Sequence, residues 1–271
     1  MKAGHHGGSA SRVGIVVLLV ALAVFASSSG RAETVAYWVY GDSGTLTDLV
    51  GDDQTLTNGS NVVDSTTTVA HNPVPNPDPA TNGAAGSISF GATSIAPKTT
   101  SAGPFKLTTA SSWTFEGWLQ TSATTGVIAG DRHKSSSPAY TGWYLCLQDP
   151  LTNGVGKLRF YFSYGTAKTK IDGSTVVNDN NPHHFAAVWD HAAGKMRLYV
   201  DGNLEGEASP DVGSYTPAAG FGIGARETGN DKIFNDDRFI GLLDELRFSD
   251  VALTPSEFLN YTPAGTVISI Q

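Results

Sequence analysis

The chain has 271 residues, of which 40% are hydrophobic and only 15% charged, with 31 glycines and one cysteine. That length suits one large all-β domain or two small ones, and the lone Cys146 excludes an intramolecular disulfide, so the core must hold the fold unaided. A net charge of −8, with no run of Lys and Arg, argues against a nucleic-acid partner, because phosphate contacts need clustered cations.

At the start, Lys2 and Arg12 precede an apolar run from Val13 to Ala26, and Gly30-Arg31-Ala32 sets small residues at the −3 and −1 positions of a cleavage site. Residues 1–32 therefore read as a secretory signal peptide, with an uncleaved anchor as the alternative. The run is shorter than the about 20 residues that span a bilayer. No later segment reads as transmembrane, so the expected product is a soluble protein, secreted or extracytoplasmic (periplasm or cell surface).

From Thr34 the pattern becomes short runs of period two, punctuated by turn residues. Val35, Tyr37 and Val39 alternate with Ala36, Trp38 and Tyr40 as a first strand. Residues 41–72 are polar with weak strand signals, and residues 71–85 hold Pro73, Pro75, Pro77 and Pro79. Proline lacks the ladder donor, so this stretch is expected to be a surface loop. Regular rows follow. Trp113, Phe115, Gly117 and Leu119 share one face; Trp143, Leu145 and Leu147 another; then Leu158, Phe160 and Phe162; Phe185, Ala187 and Trp189; and Met196, Leu198 and Val200. Asp201-Gly202 is a strong two-residue hairpin turn, and Asp172-Gly173 carries a similar turn signal. Thr254-Pro255-Ser256-Glu257 places a cap, a first-position proline and a third-position Glu at one short C-terminal helix. Closely spaced strands without amphipathic helices predict an all-β antiparallel sandwich or barrel over residues 33–262, with residues 263–271 as a tail.

The residues also carry a family resemblance. Trp113-Thr-Phe-Glu-Gly-Trp118-Leu resembles the "FTISAWVK" strand of laminin-G-like jelly-roll domains, and Gly126-Val-Ile-Ala-Gly-Asp131 resembles their "ILSKGD" step. Gly142-Trp-Tyr-Leu-Cys-Leu147 is similar to "GYSLRL", and Lys157-Leu-Arg-Phe160 to "KLRF". His183-His184-Phe-Ala-Ala-Val-Trp189-Asp190 resembles "WHHVAAVYD", Arg197-Leu-Tyr-Val-Asp-Gly202 resembles "RLYVDG", and Gly241-Leu-Leu-Asp-Glu-Leu-Arg-Phe248 resembles "GLIDEVRIY". The chain departs from the pattern at Val39 and Pro182, where the family has Pro and Trp. The resemblance implies an all-β, two-sheet antiparallel jelly-roll sandwich of the concanavalin A-like class. It also implies a structural Ca²⁺ held by a carboxylate at the position Asp244 resembles, with Asp42 and Asp131, in Gly-flanked turns, as further candidate ligands. Asp244 is expected to share an inward face with Leu242, Leu246 and Phe248, where an ionised carboxylate needs a partner or a cation.

Catalytic signals are lacking. No Gly-x-Ser-x-Gly elbow is present. Glu205-Gly-Glu207 and Asp244-Glu245 are the nearest approaches to the paired carboxylates of a sandwich glucanase, and neither fits. His183 and His184 are adjacent on a strand, point to opposite faces, and cannot readily share one metal. Trp118, Tyr144 and Tyr161 alternate away from the core rows and are the candidate ligand-binding aromatics. The expected function is a non-catalytic binding module for a carbohydrate or adhesion ligand. A protein-interaction domain is the alternative, and a glucanase-like hydrolase a weaker one.

Overall fold

The computed structural model describes residues 1, 34–38, 63–65, 87–91, 111–131, 141–148, 154–213, 221–225 and 238–259. The proposed signal segment beyond Met1, the proline-rich stretch, Asp42 and the C-terminal tail lie outside them. The chain divides into Met1–Gly30 and Arg31–Gln271, and every element below belongs to the second unit.

Among the described residues thirteen strands follow one another in that unit: β1 (Thr34–Trp38), β2 (Val63–Ser65), β3 (Ser87–Phe90), β4 (Trp113–Gln120), β5 (Gly126–Gly130), β6 (Gly142–Leu147), β7 (Lys157–Tyr164), β8 (Ala167–Val176), β9 (His183–Asp190), β10 (Lys195–Val200), β11 (Asn203–Ala208), β12 (Gly222–Ile223) and β13 (Gly241–Ser249). They form two sheets. The larger has the order β11-β10-β9-β4-β13-β3-β2, with β1 also paired to β13, and the smaller has the order β12-β5-β6-β7-β8. Every pairing between these strands is antiparallel. This is the two-sheet jelly-roll sandwich the resemblance implies.

The core rows arise from period two. Trp113, Phe115 and Leu119 from β4, Trp143, Leu145 and Leu147 from β6, and Phe160 and Phe162 from β7 are all buried in one cluster between the sheets. Trp113 and Trp143 meet across it with ring centroids 4.7 Å apart. Phe221, just before β12, lies 5.5 Å from Phe115, 5.7 Å from Trp143 and 6.3 Å from Trp38, so one ring joins strands of both sheets. Such pairs add to the large area each ring removes from water.

Turn chemistry sets the registers. Asp201 (φ 50°) and Gly202 (φ 76°) both take positive φ between β10 and β11, the geometry a two-residue hairpin needs. Asp172-Gly173 does not turn: both residues lie inside β8, and the chain reverses at Gly165-Thr166 instead. The unevenness appears as a register shift between Arg159↔Asp172 and Lys157↔Val176. Near the end, Pro255–Glu257 makes one 3-10 turn. Glu257 reaches back to accept from the Thr254 N–H at 2.8 Å and the Thr254 hydroxyl at 2.7 Å.

A second, smaller apolar cluster lies on the far side of the larger sheet. Ala186, Val188 and Tyr199 point away from the main core and are covered by Leu253 and Phe258, with Val251 and Ala252 packed beside them. Thr114 fastens this C-terminal segment, its hydroxyl donating to the Val251 carbonyl and accepting from the Leu253 N–H.

Candidate binding face on the smaller sheet

The outward face of the smaller sheet carries the two tyrosines. Tyr144 on β6 stands directly opposite Tyr161 on β7, and their rings stack with centroids 4.8 Å apart and planes 26° from parallel. Both are half-buried. Their inward neighbours Trp143, Leu145, Phe160 and Phe162 fill the core, which forces the tyrosines outward. On β5, Gly130 opposes Tyr144, and a Cβ there would stand 2.5 Å from the Trp143 carbonyl oxygen and 2.6 Å from the Tyr144 Cβ. Only glycine lets β5 and β6 close beside this ring.

Cations surround the pair on its other side. The outward positions of β7 and β8 hold Lys157, Arg159, Lys168 and Lys170, with Asp172 as the carboxylate among them. Tyr161 opposes Lys170, Ser163 opposes Lys168 and Arg159 opposes Asp172. Asp172 accepts from Arg159 Nε at 2.5 Å and from Lys170 Nζ at 2.8 Å. Burial pushes its carboxyl up, but these two donors outweigh burial and hold it below its ordinary value. Arg159 Nη2 is buried without a hydrogen-bond partner. Composition gave no sign of this cluster, because its members come from two strands joined through a tight turn. The available signal was alternation: Lys157 and Arg159 flank core Leu158, and Lys168 and Lys170 flank Thr169.

Trp118 is not part of this face. It lies on the larger sheet, only 8% exposed, with its ring edge-on to His184 at 5.5 Å. The outward side of that sheet, where alternation correctly places Trp118, is closed by the C-terminal segment rather than open to a ligand. Its centre is Glu116, fully buried, which accepts from His184 Nε2 at 3.0 Å, from the Leu259 N–H at 2.8 Å and from the Arg247 guanidinium. Burial drives its carboxyl upward, yet the His184 hydrogen bond and the Arg247 charge outweigh that and leave it lowered. His183 points elsewhere, bonding Asp201 at 2.8 Å and Asp179 at 3.2 Å, so the adjacent histidines serve separate networks.

Asp244 is buried, but not on the core face. Leu243, Leu246 and Phe248 occupy the core, whereas Asp244 pairs with Trp118 on the outward side. The expected alignment of Asp244 with Leu242, Leu246 and Phe248 fails because a bulge between Asp244 and Arg247 inserts one residue and reverses the phase beyond it. Glu245 adopts φ 50° within that bulge, and Gly117 opposite leaves room for it, since a Cβ there would meet Leu246 Cδ2 at 2.5 Å. Asp244 Oδ1 accepts from the Glu245 N–H at 2.9 Å.

Two of the candidate metal ligands, Asp131 and Asp244, stand with different sheets. Asp131 sits at the end of β5 in the smaller sheet, where its Oδ1 accepts from the Trp143 N–H at 2.9 Å. Asp244 belongs to the larger sheet, across the core, and Asp42 lies outside the described residues. Among the described residues no group of three His, Cys, Asp or Glu side chains gathers as a metal site. Ca²⁺ takes six to eight oxygens, many of them backbone carbonyls, and Asp131 and Asp244 are the candidate carboxylates among the described residues. Glu205 and Glu207 are committed as well. Glu205 accepts from Ser174 and Thr175 of β8, and Glu207 pairs with Lys195 and Arg197.

Comparison with known proteins places this architecture. The Laminin_G_3 family model, described as concanavalin A-like lectin/glucanases superfamily, matches residues 82–258, more than half of the chain. The chain belongs to this family. As a laminin-G domain it is 31% identical over 97 residues to mouse "Sushi, von Willebrand factor type A, EGF and pentraxin domain-containing protein 1", a match covering 35% of the chain and 3% of that relative's length. Two solved structures share the fold. The binding domain of Paraclostridial Mosquitocidal Protein 1 has TM-score 0.57 at 16% identity, covering 83% of this chain and 50% of that one. Domain 4 of AbnA, a GH43 extracellular arabinanase from Geobacillus stearothermophilus solved in complex with arabinotriose, has TM-score 0.56 at 18% identity, covering 83% and 96%. No helix among the described residues is long and apolar enough to cross a membrane.

Proposed function

We infer that this laminin-G domain is a non-catalytic carbohydrate-binding module, and that its ligand docks on the outward face of the smaller sheet. The observation that carries this reading is the stacked Tyr144–Tyr161 pair, held half-buried on strands of a rigid sheet. Two aromatic rings give apolar surface for the C–H groups of a sugar, and their hydroxyls and the neighbouring cations give polar contacts to its hydroxyls. The arabinotriose complex of a domain with the same fold supports a saccharide as the ligand class. Fold likeness alone is weak warrant for function, so the weight rests on the tyrosines.

A glycan array probed with the full chain, followed by calorimetry on the strongest hits, tests this. Tyr144→Ala and Tyr161→Ala are each expected to weaken binding about tenfold or more, from the roughly 1–2 kcal/mol an anchoring aromatic contributes. Trp118→Phe, on the covered side, is expected to leave affinity unchanged. Binding that survives both tyrosine changes removes the face from consideration. The leader-like residues 1–32 support export as part of the same reading. The mature protein recovered outside the cytoplasm is expected to begin at Glu33, and intact mass measures this directly.

A further inference from the structure

We propose that His183 is a pH-sensitive clasp: as an imidazolium it ties a crossover loop to the β10–β11 turn, and on losing its proton it keeps the turn and releases the loop. The loop, residues 177–182, carries the chain from edge strand β8 of the smaller sheet to β9 of the larger. His183 opens β9 between two carboxylates. Its Nδ1 stands 2.8 Å from Asp201 Oδ2 in the turn, and its Nε2 stands 3.2 Å from Asp179 Oδ1 in the loop. An ionised carboxylate only accepts, so both ring nitrogens must donate, and a ring with two N–H groups is cationic. A neutral ring has one N–H, and one carboxylate must then face a lone pair.

The geometry says which contact survives. The Asp201 contact is the shorter, and Asp201 is fixed twice more: its Oδ1 accepts from the His184 N–H at 2.9 Å, and its own N–H donates to the His184 carbonyl at 2.9 Å. Asp179 is fastened within its own loop instead, accepting from the Asn181 N–H at 2.9 Å and from Asn181 Nδ2 at 2.8 Å. That local turn can leave the ring as a unit. Two neutral contacts stay behind, the Asn180 N–H donating to the Thr121 carbonyl at 3.0 Å and Gln120 Nε2 to the Asn180 carbonyl at 2.9 Å. Release therefore loosens the loop without unfolding it. Asp179 and Asp201 are the charged groups facing the ring among the described residues. On the neighbouring strand Leu119 and Gln120 carry no charge, and His184 turns to the opposite face and Glu116. The Asp201 hydrogen bond, with Asp179 behind it, outweighs partial burial and holds the ring above its ordinary 6.5. The clasp is hence complete below pH 6.5 and lost as pH rises through the raised value.

Nitrogen-15 NMR of the full chain, with His183 assigned through its backbone resonances, tests this. The ring is expected to titrate above 6.5 and, once neutral, to carry its proton on Nδ1. Hydrogen exchange, corrected for its intrinsic pH dependence, reads the loop. Protection at the Asn180 and Asn181 amides is expected to fall about three- to fivefold as the ring loses its proton, since half-exposed ion pairs are individually modest. Protection at the His184 and Asp201 amides is expected to hold. Asp179→Asn keeps an oxygen for the Asn181 N–H but removes the charge, so it is expected to flatten the loop's pH dependence. A ring that titrates at or below 6.5 overturns the proposal, as does a neutral ring protonated on Nε2, which would keep the loop and release the turn. Loop protection indifferent to pH overturns it too, and so does an equal loss at the buried Leu198 and Val200 amides, which marks a general loosening. Midpoint and tautomer are read on the unaltered chain, so they decide the matter even where the variant fails to fold.

Discussion

Glu245 shows how one residue can carry a measurable signature of its surroundings. Its backbone is held at φ 50° by the bulge in β13, its Oε2 is buried without a hydrogen-bond partner, and desolvation raises its carboxyl to about 7 from an ordinary 4.5. A carboxyl raised in the folded state binds protons more tightly there than in the unfolded chain. Stability from this group is therefore complete below pH 4.5 and declines as pH rises through about 7. Glu245→Gln removes that decline. Urea denaturation of both proteins from pH 4 to 8 is expected to show a stability difference that grows in favour of the glutamine variant until about pH 7 and then levels off. A difference that stays flat with pH would place the carboxylate in contact with solvent. Glu116 is the opposite case: equally a carboxylate on the larger sheet and more deeply buried, it is stabilised as an anion because His184, Arg247 and Leu259 all donate to it.

At the level of elements, the two edge strands β8 and β11 belong to different sheets but are clasped together. Glu205 of β11 accepts from the Ser174 N–H and hydroxyl and from the Thr175 N–H and hydroxyl of β8, the last at 2.6 Å. Burial pushes its carboxyl up, but these donors prevail and hold it low. Edge strands left with unpaired groups invite slippage or association, and this carboxylate closes one such edge. Glu205→Ala is expected to cost about 1–3 kcal/mol and to speed hydrogen exchange at the Ser174 and Thr175 amides ahead of the sheet centre. Exchange unchanged at those two amides would mean the clasp is not what protects them. The segment Val251–Leu259 does comparable service for the larger sheet. It covers Ala186, Val188 and Tyr199 and so turns the side of the sheet that bears Trp118 into interior.

For the whole molecule, the aromatic core decides cohesion. Phe221 contacts Trp38, Phe115, Trp143 and Phe248 across both layers, so Phe221→Ala opens a cavity no single neighbour can fill. A loss of about 3–5 kcal/mol in chemical denaturation is expected, with glycan affinity retained once the protein is folded, since the tyrosine face lies on the other side of the smaller sheet. Without a disulfide to constrain the unfolded chain, this packing is the main source of stability.

Period-two alternation by itself determined the core rows, because burial of one face of a strand imposes the pattern residue by residue. Trp113, Trp143, Phe160 and Trp189 all lie where it puts them. The Asp201-Gly202 turn was equally legible, since few residue pairs tolerate two positive φ values. The outward placement of Tyr144 and Tyr161 was legible for the same reason as the core rows. What alternation could not show was a break in its own period: the bulge at Glu245 moved Asp244 to the outward side, and the unevenness within β8 absorbed Asp172-Gly173. Nor could it say that the outward face of the larger sheet is covered, since that depends on where a segment more than a hundred residues away, Val251–Leu259, comes to rest. The tertiary structure alone decided that Trp118 is covered and that Lys157, Arg159, Lys168 and Lys170 share a surface with the tyrosines. Pairing β7 with β8 converts alternate residues, scattered along the chain, into neighbours.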